Sequence, residues 1–163
     1  MPKVTISDSK GLVQSSGSGV DITSSVDLGG AAELYGNKNS VSVLASAATL
    51  TAADSGKVFL LVQTGTNKTV TLPACEAGLN LKFVLKTAST NKWEIVQAAA
   101  SEDFVGGVVC VADVAGDSAT SSDTMVRFVG GSAVAGDTIS LVSDGTVWYI
   151  NGSFGASGGI IFA

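Results

Sequence analysis

The chain has 163 residues and a formal net charge of −5; 45% of its residues are hydrophobic and only 14% charged, against ~25% charged in an ordinary soluble domain. That length suits one domain, with or without an arm, and can bury a core without staples. The composition excludes a disordered chain, and no apolar run approaches the ~18 residues of a spanning helix. Nucleic acid is excluded as a partner too, because phosphate binding needs clustered Lys and Arg and the single arginine is Arg127.

Residues 1–48 carry few large apolar side chains. Val4-Thr5-Ile6 and Leu12-Val13-Gln14 are minimal strands around a Gly11 turn, and Ser15 to Gly19 is a flexible joint. The segment is too poor in large side chains for its own core. It reads as an extended arm or an edge layer that borrows burial elsewhere. Val4 and Ile6 share one strand face, and Leu12 and Val13 form a second apolar step. These four are the candidate docking residues, suited to adding strands to an exposed sheet edge. Met1-Pro2-Lys3-Val4 has no apolar h-region, so the chain is expected to fold in a reducing cytoplasm.

Residues 49–163 read as the folded domain. Thr51 and Asp54 have capping-box spacing, so one helical turn closes there, and Gly56 ends it in a left-handed conformation. Val58 to Gln63 begins with an unbroken apolar run, as a strand covered on both faces would. Thr64 to Lys68 is turn chemistry, Thr69 to Leu72 alternates, and Pro73 stops that strand. Beyond Gly78, Leu81, Phe83 and Leu85 point one way, with Lys82 and Val84 opposite.

A strand from Trp93 to Gln97 follows, then one from Val105 to Val111 whose Gly106-Gly107 pair marks a bulge or close backbone approach. Residues 113–123 form a long loop of small and acidic residues. Met125 and Arg127 face away from Val126 and Phe128. A strand from Asp137 to Val142 meets the hairpin turn Ser143-Asp144-Gly145-Thr146, Val147 to Ile150 returns, and Asn151-Gly152 turns again. Short strands at roughly 8–12-residue spacing, with no helical period, predict an all-β fold: an antiparallel β-sandwich or jelly roll with an extended N-terminal arm. No fixed-period repeat argues for a propeller or β-helix.

The chain contains no histidine, which removes Ser-His-Asp and Cys-His catalysis and His-ligated metals. Ser16-Gly17-Ser18-Gly19 lacks the lysine of a phosphate loop and reads as a joint. Glu76, Glu94, Glu102 and the aspartates sit mostly in turns, where carboxylates ordinarily serve solvation and local hydrogen bonds. Asp113, Asp117 and Asp123 share one loop without EF-hand spacing, so they read as a solvated acidic loop rather than a calcium site. Cys75 and Cys110 read as free thiols, with a disulfide open only if their strands adjoin. Trp93 and Trp148 lie within strands and read as core rather than ligand platforms. No cofactor is expected, and the chain is not expected to be an enzyme.

One pattern goes further. Leu50-Thr51-Ala52-Ala53-Asp54-Ser55-Gly56-Lys57, then Val70-Thr71-Leu72-Pro73 and Gly78 before a Phe83-containing strand, resemble structural proteins of tailed bacteriophages. Phe104-Val105-Gly106-Gly107 and the stretch from Gly136 to Trp148 fit the same pattern, so the likeness covers roughly residues 49–152. It is to capsid decoration (cement) proteins, and also to domains of tail and fibre proteins. The resemblance implies a jelly-roll-like homotrimer on the outer capsid surface, bound where major capsid protein subunits meet. It implies no catalytic residues. The competing expectation is a tail or fibre domain that binds a host surface glycan.

Overall fold

The computed structural model describes residues 39–112, 116–120 and 123–163. Twelve strands and one 3₁₀ turn at Ala52–Asp54 make up its regular structure. The first half contains β1 (Val41–Leu44), β2 (Ala48–Thr49), β3 (Val58–Val62), β4 (Lys68–Thr71), β5 (Ala77–Thr87) and β6 (Trp93–Val96). The second half contains β7 (Phe104–Cys110), β8 (Gly116–Ser118), β9 (Met125–Phe128), β10 (Thr138–Asp144), β11 (Trp148–Phe154) and β12 (Ile160–Phe162). The described residues are thus all-β. The candidate docking residues Val4, Ile6, Leu12 and Val13 lie outside them.

Two sheets share these strands. The larger has the order β1-β3-β5-β10-β11-β7-β8, and the smaller β12-β9-β6-β4-β2. The first six strands alternate between the sheets, and each later one lies parallel to the strand two before it. Val41 sits beside Val58 and Val58 beside Lys82 in one sheet, while Ala48 sits beside Val70 and Val70 beside Ile95 in the other. The chain therefore winds in coils through both sheets, and the unequal coil lengths leave no repeat to see in the sequence. After β6 the winding stops. β10 runs antiparallel to β5, β9 antiparallel to β6, and β10 and β11 form a hairpin. Five of the ten pairings are parallel, so both sheets are mixed where the alternation and turn signals predicted antiparallel ones. Period-two alternation reports which face is covered and is silent on strand direction.

One core lies between the sheets. Phe59, Phe83 and Ile139 from the larger sheet meet Val70, Ile95 and Phe128 from the smaller in a single buried cluster. Phe59 and Phe83, neighbours in register, stack with ring centroids 5.4 Å apart. Each such side chain contributes ~1.5–3 kcal/mol of transfer free energy, before ordering costs. Leu81, Phe83 and Leu85 point inward as the alternation of β5 requires, and so do Val126 and Phe128 on β9. The capping turn also forms: Thr51 donates its backbone N–H (2.8 Å) and its hydroxyl (3.1 Å) to Asp54 Oδ2, and Gly56 follows at φ +80°.

Three local readings are corrected. β3 is buried on one face only: Phe59 and Leu61 are inside, while Val58, Leu60 and Val62 are half-buried. The acidic loop contains a short strand, β8, paired antiparallel with β7. Asn151-Gly152 is not a turn but the middle of β11, flanked by both β10 and β7. Its glycine is needed because a Cβ there would lie 2.3 Å from the Thr138 carbonyl oxygen.

Gly106 makes the closest approach. It sits at φ +126° opposite Ile150, and a Cβ would lie 2.1 Å from the Ile150 carbonyl oxygen. Both the dihedral and the space forbid a side chain. Gly106→Ala is expected to destabilise the fold by about 3 kcal/mol or more, read from urea unfolding midpoints. Asn151→Ala, on the adjacent strand and exposed, should stay within about 0.5 kcal/mol. Equal effects would mean the β7–β11 pairing is not the tight contact described.

Candidate functional site

Of the eight exposed large hydrophobic residues among the described ones, Val111 and Val134 lie outside the strands and six lie on the outer face of the larger sheet. Strand alternation sets which side chains reach it: Val41 and Val43 from β1, Leu60 from β3, Val84 from β5, Val142 from β10, Tyr149 from β11, and Val105 and Val109 from β7. Val41 is 58% exposed, Val43 53%, Val109 63%, Val142 49%, Tyr149 48% and Val105 43%. Register orders them into rows. Val43, Leu60 and Val84 are consecutive across β1, β3 and β5. Val142, Tyr149 and Val105 are consecutive across β10, β11 and β7. Lys82, Ser140 and Asn151 lie between these rows, and Thr138 and Ser153 continue the first row across to Val109. A contiguous, weakly charged sheet surface of this kind is characteristic of an interaction site.

The smaller sheet presents a different outer face. Glu94 on β6 sits beside Arg127 on β9 and holds it at 2.8 Å, with Lys92 Nζ at 2.7 Å. Burial pushes the Glu94 carboxyl up, but the hydrogen bonds from Lys92 and Arg127 together hold it below the ordinary glutamate value. This face carries its charges already paired and accessible to water, as a solvated surface does.

The polar groups inside the core act structurally. Trp93 and Trp148 are fully buried, as expected, and their indole N–H groups find no partner among the described residues. Lys68 closes a stretch with the chemistry of a turn, yet it is buried. Its ammonium donates to the Thr64 carbonyl and, at 3.3 Å, to the Thr66 carbonyl, and lies 5.6 Å from the Trp93 ring centre. Carbonyl dipoles and the ring's π face thus take the place of a carboxylate partner. No local sequence signal marks this arrangement, because burial of Lys68 depends on β6 packing beside it.

Glu102 is also buried. Its Oε1 accepts the Cys75 backbone N–H at 2.8 Å, while Oε2 has no partner among the described residues. Cys75 and Cys110 are free thiols, and desolvation pushes the Cys75 thiol up, away from the nucleophilic thiolate. Of the acidic loop, Asp113 lies outside the described residues. Asp117 Oδ2 accepts the Phe162 N–H at 2.8 Å, tying β8 to β12, and Asp123 Oδ2 accepts the Thr120 N–H at 2.6 Å. Among the described residues no group of three or more Cys, Asp or Glu side chains is placed to hold a metal ion. Two shallow depressions, of about 290 and 200 Å³, fall below the ~300–1,000 Å³ of small-molecule sites.

The β10–β11 hairpin at the rim of the apolar face turns on Asp144. Its Oδ1 accepts the Thr146 N–H and hydroxyl, both at 2.8 Å, and the Val147 N–H at 3.1 Å, while Oδ2 accepts the Tyr149 hydroxyl at 3.1 Å. These bonds, led by the Thr146 hydroxyl, hold its carboxyl down at about 2. A folded-state value below the unfolded one means the unfolded chain binds the proton first as pH falls. The stabilisation is present above the ordinary aspartate value of 3.8 and is lost as pH drops towards about 2. Asp144→Asn should therefore lower the melting temperature at pH 6 and converge on the wild type near pH 2, measured by a thermal series across that range. A constant gap at every pH would show that the carboxylate charge contributes nothing.

Comparison with protein-family models, with curated proteins and with solved structures returned no match.

Proposed function

We propose that this chain is a structural virion protein. It binds the outer surface of a phage capsid as a homotrimer and stabilises contacts between major capsid protein subunits. The observation that carries this reading is the broad, exposed, weakly charged outer face of the larger sheet, in a structure whose described residues are all-β. Such a face belongs to a protein that works by being covered, and the sequence pattern of residues 49–152 supplies the class of assembly. In this reading the protein has no catalytic role and no cofactor, is made in the host cytoplasm and ends on the capsid surface. The jelly-roll-like trimer of the resemblance belongs to the proposal, since the mixed sheets support only its all-β character.

The N-terminal docking role is part of the same proposal. Val4, Ile6, Leu12 and Val13 would add strands to a partner's sheet edge, each aliphatic side chain contributing ~1.5–3 kcal/mol before ordering costs. Several arms on one trimer would gain through effective concentration. Labelled full-length protein should appear on heads, not tails, of particles viewed by electron microscopy. Deleting residues 1–14 should abolish that decoration while leaving the unfolding midpoint unchanged. Label confined to tails, together with specific retention on a glycan array, would replace this reading with that of a host-binding tail or fibre domain.

A further inference from the structure

The geometry points to a head-to-tail contact between copies of this chain. In it, the β1-β3-β5 half of the outer face packs against the β10-β11-β7 half of a second copy. This rests on the self-association in the proposed function and assigns it a surface; it does not depend on the capsid.

Three observations carry it. The first is the apolar run of β3. Val58 to Val62 is written for cover on both faces, as strands of parallel sheets are. Among the described residues Phe59 and Leu61 are buried, and Val58, Leu60 and Val62 stay half-buried on the parallel β1-β3-β5 half.

The second is that each half carries its own apolar patch. Val41, Val43, Val58, Leu60 and Val84 lie on the β1-β3-β5 half and Val142, Tyr149, Val105 and Val109 on the other, with Thr138, Ser140, Asn151 and Ser153 interrupting them on β10 and β11. Sheet twist of roughly 20–25° per strand turns the two halves away from one another, so one flat partner cannot cover both.

The third is charge. The β5 side carries Lys82 and Lys86, which make no salt bridge among the described residues. The β10–β11 corner carries Asp144, held ionised beside Tyr149. Like halves meeting would set lysine against lysine, whereas unlike halves set lysine against aspartate and valine against valine. A heterologous contact of this kind closes into a ring where its rotation permits, which is how a trimer forms.

The test uses two full-length variants at exposed positions, Val43→Glu on one half and Val142→Glu on the other. Light scattering should give an oligomer for the wild type. Each variant alone should be monomeric at the same micromolar concentration, with association weakened at least about 30-fold and unfolding midpoints near wild type. Mixed in equal amounts they should form a one-to-one dimer that grows no further, because each retains the half that the other lacks. A mixture that stays monomeric, or a variant that still dimerises alone, overturns the head-to-tail assignment. Two variants that both assemble like the wild type place the contact elsewhere and overturn the surface while leaving the trimer standing. A monomeric wild type overturns both. A chain that assembles as described but leaves heads bare fails the capsid reading alone.

Discussion

A sheet whose strands are apolar on both sides must be covered on both sides, and this constraint governs the molecule. The described residues meet it once. The coils place β1, β3 and β5 parallel in one sheet and β2, β4 and β6 parallel in the other, and the inward side chains close on one core. The outward side chains of the larger sheet receive no such cover within the described residues. The smaller sheet avoids the problem by carrying Glu94, Arg127 and Lys92 on its outer face.

The turn from coiling to antiparallel pairing explains how the two halves of the outer face come to differ. β1, β3 and β5 descend from the winding and are rich in aliphatic residues with lysines between them. β10, β11 and β7 arrive afterwards, and the backbone crowding at Gly106 and Gly152 lets them lie close together. Asp144 then fixes the hairpin at the corner of that half and keeps a negative charge at its rim. The fold thus produces two unlike apolar patches on one sheet rather than one uniform face.

Much of this was legible where the signal is local. The Thr51–Asp54 cap, the inward side chains of β5 and β9, the hairpin at Asp144-Gly145 and the burial of both tryptophans follow from turn chemistry and period-two alternation. Strand direction did not, because it depends on which coil neighbours which, and the loops between coils are unequal. Asn151-Gly152 reads as a turn by composition, yet crowding by Thr138 demands the same glycine within a strand. Lys68 was missed because the carbonyls and ring that hold it meet only after β4 and β6 pair. The exposed face was foreshadowed only by low charge. Which valines of a strand lie outside follows from alternation, since Val105 and Val108 stand on opposite faces of β7 and differ in exposure; that the outward face stays open depends on what packs against the sheet.

The central claim is that the outer face of the larger sheet is covered by another copy of the chain. Solvent paramagnetic relaxation of the valine methyl groups measures that cover directly at concentrations where the protein is assembled. The account predicts that Val43, Val105 and Val142 are shielded from the soluble probe, while Val96 on the smaller sheet's outer face remains accessible. Methyl groups of Val43, Val105 and Val142 relaxing as fast as that of Val96 would contradict it.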